Sequence, residues 1–191
     1  MTSFPEHLIG QGVTLEAVRH DHCDGLLASM ADPRVWRWMP ARKPESRHDM
    51  TDWIDKWQQR REQGYGVEYA VLVADAVVGS IALYDYSPDN GTAESGWTWL
   101  APQVWGTGVN RAMKVALYDY AFDGLGVVRL GVRTDSENIP AQRALEALGL
   151  HREGVLRSHL RRPDGTMRDT VYYSVLAHEW PSVRARWTAT S

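Results

Sequence analysis

The sequence predicts an α/β chain in which helices flank a mixed, mostly antiparallel sheet. Helix-period and strand-period segments are intermixed along it, without the strict strand-helix-strand alternation of a parallel sheet. Two pairs of β-rich runs are joined by short turns, which makes them hairpins rather than crossover strands. The 191 residues hold no internal repeat, low-complexity tract or long linker, so residues 1–191 are read as one domain.

Taken in order, Val13 to Val18 alternates as a short strand. Asp21 offers a helix N-cap, and Cys23, Leu26, Leu27 and Met30 form one apolar helix face that ends before Pro33. Trp36 to Pro44 reads as loop. Ser46 and Asp49 then form a capping-box pair, and Met50, Trp53, Ile54 and Trp57 repeat the helical spacing. A hairpin follows, Tyr69 to Val73 and Val77 to Leu83, turning at Asp75. Pro88-Asp89-Asn90-Gly91 turns the chain into a fourth strand, Ala93 to Leu100. After a glycine loop, Val109, Ala112, Met113, Ala116, Leu117, Tyr120 and Ala121 keep one helix face apolar for three turns. Val127 to Val132 is a strand. A helix starts near Pro140, carries Ala141, Ala144, Leu145 and Leu148, and stops at Gly149. Two last strands meet at Pro163-Asp164-Gly165, and a helical piece from Trp180 to Trp187 closes the chain.

Composition excludes several function classes. The 43% hydrophobic and 24% charged fractions are ordinary for a globular chain. Lysine plus arginine total 21 against 24 acidic residues, a net charge of −3 that argues against a dedicated nucleic-acid binder. No apolar run reaches the roughly 18–20 residues of a membrane helix, and Ala70 to Leu83 is interrupted by Asp75. Met1-Thr2-Ser3-Phe4-Pro5-Glu6-His7 has neither the basic patch nor the apolar core of a secretory signal. A lone cysteine, Cys23, rules out an intrachain disulfide and suits a reducing compartment, so a cytoplasmic location is expected.

Chemistry concentrates in Gln103-Val104-Trp105-Gly106-Thr107-Gly108-Val109-Asn110, between a strand and an amphipathic helix. Small residues let a backbone approach a ligand, and the helix start supplies unpaired N–H groups, so the segment suits a pyrophosphate. A plain tight turn would use two glycines as well. The Walker pattern is absent, since no Gly-Lys-Ser/Thr follows. The dinucleotide fingerprint fits only in part: Arg111 occupies its third glycine position, antiparallel strands precede the loop, and Asp135 is the single feature in its favour.

Gln103-x-x-Gly106-x-Gly108 is similar to the pyrophosphate loop of the GNAT acyl-CoA N-acyltransferases. Glu94-Ser95-Gly96-Trp97-Thr98-Trp99-Leu100 resembles the fourth strand of the RimJ/RimL-like branch, the ribosomal-protein N-terminal acetyltransferases. Asn138 with the helix Ala141 to Gly149, Glu153 to Arg157, Pro163-Asp164-Gly165, Arg168-Asp169 and Glu179-Trp180 also fit that branch. The resemblance spans a core of about residues 10–180.

It implies a GNAT fold whose central strands splay apart to admit the pantetheine arm of acetyl-CoA. Trp99, Leu100 and Ala101 would pair with that arm, and the amides from Val104 through Trp105, Gly106, Thr107, Gly108 and Val109 to Asn110 would take the pyrophosphate. Asn138 would hydrogen-bond the pantetheine or the thiol end, and Arg143 would reach the nucleotide phosphates, although a solvated arginine explains Arg143 as well. Acetyl transfer would proceed by direct attack of an amine, either a small molecule or a protein N-terminus, with Glu94 as candidate base and Asp85, His159 and Asp169 as weaker ones. A solvated acid at a strand end is the plain alternative for Glu94. The sequence departs from the family at the leaving-group acid, where Leu145 and Ala141 cannot donate a proton. That departure motivates a second reading, a non-catalytic CoA-binding regulatory protein. A homodimer is compatible with either.

Trp53 with Trp57 and Trp97 with Trp99 fit a packed core better than an acceptor pocket shared with Trp36 and Trp38. His20-Asp21-His22-Cys23 opens a helix and lacks a second ligand cluster, so no metal is expected. Arg157, Arg161, Arg162 and Arg168 read first as a solvated hairpin, and second as a site for an acidic acceptor or a phosphate.

Overall fold

A computed structural model describes residues 4–189. Met1, Thr2 and Ser3 of the N-terminal stretch discussed above lie outside the described residues. Eight strands form one open sheet: β1 (His7–Gly10), β2 (Val13–Ala17), β3 (Val67–Val73), β4 (Ala76–Ser87), β5 (Thr92–Leu100), β6 (Arg129–Asp135), β7 (His151–Arg161) and β8 (Met167–Leu176). Their order is β1-β2-β3-β4-β5-β6-β8-β7, and β5 with β6 is the parallel pair. Six helices pack on it: α1 (Cys23–Ser29), α2 (Pro33–Trp36), α3 (Arg47–Glu62), α4 (Val109–Asp119), α5 (Ile139–Ala147) and α6 (Trp180–Thr188).

The local signals act where their chemistry places them. Ser46 and Asp49 cap α3 reciprocally, Ser46 Oγ accepting from the Asp49 amide at 3.1 Å and Asp49 Oδ2 from the Ser46 amide at 3.0 Å. Gly149 takes φ +91° directly beyond α5, and the Leu150 amide returns to the Leu145 carbonyl at 3.1 Å. Four details differ from the sequence reading. β1 is an unforeseen four-residue edge strand, too short for a periodic pattern. Pro33–Trp36 forms one helical turn because Asp32 caps it through the Arg34 amide at 2.9 Å. The sixth strand begins at Arg129 rather than Val127, whose amide is spent on the Ala121 carbonyl at 3.1 Å. α4 runs on into a wider π turn over Tyr120–Gly124.

Each sheet face carries its own core. Under α4, α5 and α6, residues such as Leu15, Met113, Leu117, Leu130, Tyr173 and Trp187 are buried together. Under α1 and α3 lie Leu26, Met30, Met50, Ile54, Trp57 and Trp99. Burial of these side chains at about 25 cal/mol per Å² holds both layers against the sheet.

The feature that makes a site is the parting of β5 from β6. The two strands pair over Thr92–Ser95 and Arg129–Val132. Beyond that register β6 continues along β8 while β5 leans toward β4. A bulge causes the divergence: β4 partners jump from Trp99 at Ser80 to Gly96 at Ala82, leaving Trp97 and Thr98 opposite Ile81. Trp97 adopts φ +49° there, and such an extra residue bends and twists its strand.

Candidate active site

The loop after β5 is built to leave amides open. Pro102–Val104 forms a 3-10 turn in which the Val104 amide donates to Ala101 and the Trp105 amide to Pro102, both at 3.1 Å. The Thr107 amide reaches the Val104 carbonyl at 3.4 Å. Gly106 at φ +75° and Gly108 at φ +90° reverse the chain, a handedness that glycine adopts without strain. Gly108 then opens α4, its carbonyl accepting from Arg111 and Ala112 at 3.0 and 2.9 Å. The amides of Gly106, Gly108, Val109 and Asn110 have no backbone acceptor among the described residues. Four donors at the positive end of an eleven-residue helix make a cradle for a polyanion. The window expected from sequence therefore narrows: the Val104, Trp105 and Thr107 amides hold the loop's own shape.

The strand end is selective in the same way. The Ala101 amide donates to Val78 at 2.8 Å, so alternation turns Trp99 toward its β4 partner Ser80 and Leu100 toward the gap. The Leu100 carbonyl accepts the Trp105 indole N–H at 2.7 Å, which pins the loop to the strand. Of the three residues expected to meet a pantetheine arm, Leu100 alone offers the gap its N–H.

Two connected cavities fill the fork. One, of about 770 Å³, runs from Gly106 and Gly108 past Leu100 and Thr98 to Lys114 and Asn138. The other, of about 500 Å³, begins at Asn110, Lys114 and Asn138 and opens past Trp38, Met39, Tyr84 and Arg133 on the α1–α3 side. Asn110, Lys114 and Tyr118 stand at i, i+4, i+8 on α4 and form a polar stripe along the floor. Asn138 caps α5, its Oδ1 accepting from the Ala141 amide at 3.3 Å, and faces both cavities.

Comparison with known proteins decides the family. Residues 13–151 match the model described as "Acetyltransferase (GNAT) domain". The chain belongs to the GNAT acetyltransferases. YdaF of Bacillus subtilis (strain 168), provisionally named a ribosomal N-acetyltransferase, is 31% identical over 127 residues, 66% of this chain and 68% of YdaF. A crystal structure from T. thermophilus, provisionally titled an acetyltransferase, shares 36% identity at a TM-score of 0.87, covering 99% of this chain and 98% of that one. Mycobacterium smegmatis RimJ in complex with CoA-disulfide superposes at a TM-score of 0.84 with 21% identity, over 96% and 92% of the two chains, a likeness of fold. The GNAT chain is thus an acyltransferase with an open mixed sheet and resembles the RimJ/RimL-like branch.

Within this GNAT chain the expected base is ion-paired. Glu94 Oε2 lies 2.7 Å from Arg133 Nε and 3.4 Å from the Tyr84 hydroxyl. Burial pushes the Glu94 carboxyl above its usual range despite the opposing pull of Arg133. Glu94 stands behind Tyr84 and Arg133, which are themselves the cavity wall. Asp85 pairs with the same arginine at 3.2 Å, and Asp169 accepts the Ser158 amide at 2.7 Å. The His159 ring stands against Tyr172 at 5.9 Å. Leu145 is buried in the core and also reaches the cavity, with Ala141 beside it.

Sequence reasoning missed three cleft residues. Lys114 is half-buried, has no carboxylate within ion-pair distance among the described residues, and burial pushes its ammonium down to about 8. Its place on the polar stripe four residues after Asn110 was the readable signal. Arg111, which spoiled the dinucleotide fingerprint, lines the loop end of the cleft, as does Arg34. Arg34 stacks over Trp105 at 5.2 Å and pairs with Asp32 at 2.6 Å. Arg143 is exposed on α5 and lines neither cavity of the fork.

The tryptophans divide. Trp36, Trp53, Trp57, Trp97 and Trp99 interlock edge to face or tilted, with centroids 5.3 to 6.4 Å apart, and Trp97 and Trp99 also touch the fork from this cluster. Trp38, half-buried, lines both cavities of the fork. In the helix-opening segment His22 Nε2 faces Glu16 at 3.2 Å and His20 faces Asp55 at 2.7 Å. The described residues contain no group of three or more metal-ligating side chains, and no helix among them is long and apolar enough to cross a membrane.

Proposed function

We propose that this GNAT chain moves an acetyl group from acetyl-CoA to an amine by direct attack on the thioester. The observation that carries the reading is the alignment of four open amides with an unpaired strand edge. Gly106, Gly108 and Asn110 line the mouth of the same cleft into which Leu100 turns its N–H, and the Val109 amide follows Gly108 at the start of the helix. The loop amides would take the pyrophosphate, Leu100 and Asn138 the pantetheine arm, and Arg111 the phosphate charge near the entrance. CoA-disulfide bound to M. smegmatis RimJ supports the donor, and the name of YdaF, a ribosomal N-acetyltransferase, supports a ribosomal protein as one acceptor class. A cytoplasmic setting accords with the buried free thiol of Cys23.

The acceptor amine would enter through the smaller cavity, past Trp38 and Arg133. Its nitrogen attacks the thioester carbon, the C–N bond forms, and the C–S bond breaks. The amine proton passes to water in this open cavity, since Glu94 is held by Arg133. The CoA thiolate takes a proton from the Lys114 ammonium, the cation on the cleft floor beside Asn138. A lysine near 8 is closely matched to a thiol near 8.5, whereas burial pushes the Tyr118 hydroxyl to about 12. Calorimetric titration with acetyl-CoA, followed by mass spectrometry on pooled amines and N-terminal peptides, tests the reading. A product heavier by one acetyl group is expected. Binding without any product would leave the CoA-binding regulatory reading in its place.

A further inference from the structure

The acceptor cavity is lopsided in charge. Lys114, Arg133, Arg161 and Arg168 line it, and no carboxylate does. Arg133 is balanced from behind by Glu94 and Asp85. Arg161 has no carboxylate within ion-pair distance among the described residues and spends one N–H on the Gly165 carbonyl at 2.8 Å.

Arg168 is the unusual member. It lies on β8 with 5% of its surface exposed, and its Nε is buried without a hydrogen-bond partner. Asp135 is the nearby acid, yet Arg162 occupies it, reaching Oδ2 through Nε and Oδ1 through Nη2, both at 3.0 Å. Arg168 Nε is left 3.8 Å from that carboxylate, outside hydrogen-bond reach. Burying a guanidinium without satisfying its donors is costly, and a cavity wall is where a ligand can satisfy them. A planar fork of N–H groups is matched by a carboxylate, which accepts two parallel bonds.

We propose that the acceptor is an amine carrying a carboxylate, held by Arg168 and Arg161 on the hairpin side of the acceptor cavity. The inference rests on the acetyl-transfer reading for the amine and goes beyond it in naming the acceptor's charge. The carboxylate can belong to a free acidic amino acid or to an acidic residue near a peptide N-terminus. In either source it anchors the molecule while the amine extends toward the fork.

Equilibrium binding tests the charge without relying on turnover. Tryptophan fluorescence of the CoA-loaded protein is titrated with glutamic acid α-amide against glutamine α-amide, and with a C-terminally amidated Ser-Asp tetrapeptide against its amidated Ser-Asn counterpart. The carboxylate member of at least one pair should bind about tenfold tighter, and the pair that shows it identifies the source. Arg168→Gln and Arg161→Gln should each erase most of that preference, while Arg157→Gln, on the exposed outer hairpin, should retain it. Should Arg168→Gln fail to fold, Arg161→Gln alone decides. Equal binding of both members of both pairs overturns the proposal, as does a preference that survives at Arg161→Gln. Acetylated product in the same samples, or its absence, bears separately on the transfer reading.

Discussion

Arg133 Nε and Glu94 Oε2 are 2.7 Å apart, and that pairing sets the charge of the wall of the smaller cavity. Both side chains are about three-quarters buried, so the pair is shielded from solvent. Glu94→Gln should lower stability by about 2 kcal/mol, the worth of a charge-assisted bond. It should also reduce kcat/KM through a displaced Arg133, while the pH-rate profile keeps its shape. Loss of the acid limb in that variant would instead make Glu94 the base.

The loop glycines make a sharper test of donor binding. A Cβ at Gly106 or Gly108 would meet nothing within 4 Å, so their requirement is backbone handedness alone. Gly108→Ala should cost about 1–2 kcal/mol of loop conformation. Calorimetry should show CoA affinity falling about tenfold, and the same conformational cost should lower Tm by about 2–8 °C.

Under the proposed chemistry, Lys114 would give the reaction an alkaline limit. Its folded value of about 8 lies below the ordinary lysine range, so the acid form is lost as pH rises through about 8. Under the proposed chemistry, kcat should decline above that pH. Lys114→Met should lower kcat about a hundredfold and remove the limb. An unchanged profile would assign the thiolate's proton to water.

Trp36 and Trp38, two residues apart, should behave in opposite ways. Trp36 is 8% exposed and packs 5.3 Å from Trp99, so Trp36→Ala should cost about 3–5 kcal/mol. Trp38→Ala should leave Tm nearly unchanged and raise the acceptor KM. Chemical denaturation and steady-state kinetics on both variants separate the two outcomes.

Glu68 predicts a pH dependence of stability far from the chemistry. It is 1% exposed, with Trp53 Nε1 donating at 2.6 Å and Ser80 Oγ at 2.8 Å. Burial raises its carboxyl to about 8 from 4.5. Between those values the folded chain holds a proton that the unfolded chain releases, so stability falls as pH rises from about 4.5 to about 8 and is level above. The slope can reach about 1.4 kcal/mol per pH unit. Glu68→Gln should flatten it in denaturant melts taken at successive pH values.

Much of the fold is legible because its signals are local. The Ser46–Asp49 box, the Gly149 stop and the Pro163-Asp164-Gly165 turn need only neighbouring residues, and each sits where expected. β1 and the turn at Pro33–Trp36 escaped because four residues carry no measurable period. The tryptophan core was readable from helical and strand spacing. That Trp38 rather than Trp36 reaches the cleft was not, since Trp36 ends that single helical turn and Trp38 lies just beyond it.

By itself the sequence determined the α/β class, the glycine loop at a helix start and the likeness to GNAT enzymes, all of which depend on residue order and backbone preference. The tertiary structure decided which amides remain open and that Glu94 is held by Arg133. It also left Arg168 Nε without a hydrogen-bond partner because Arg162 had taken Asp135. Those outcomes depend on side chains competing for the same partner across distant strands, and no local pattern records who wins.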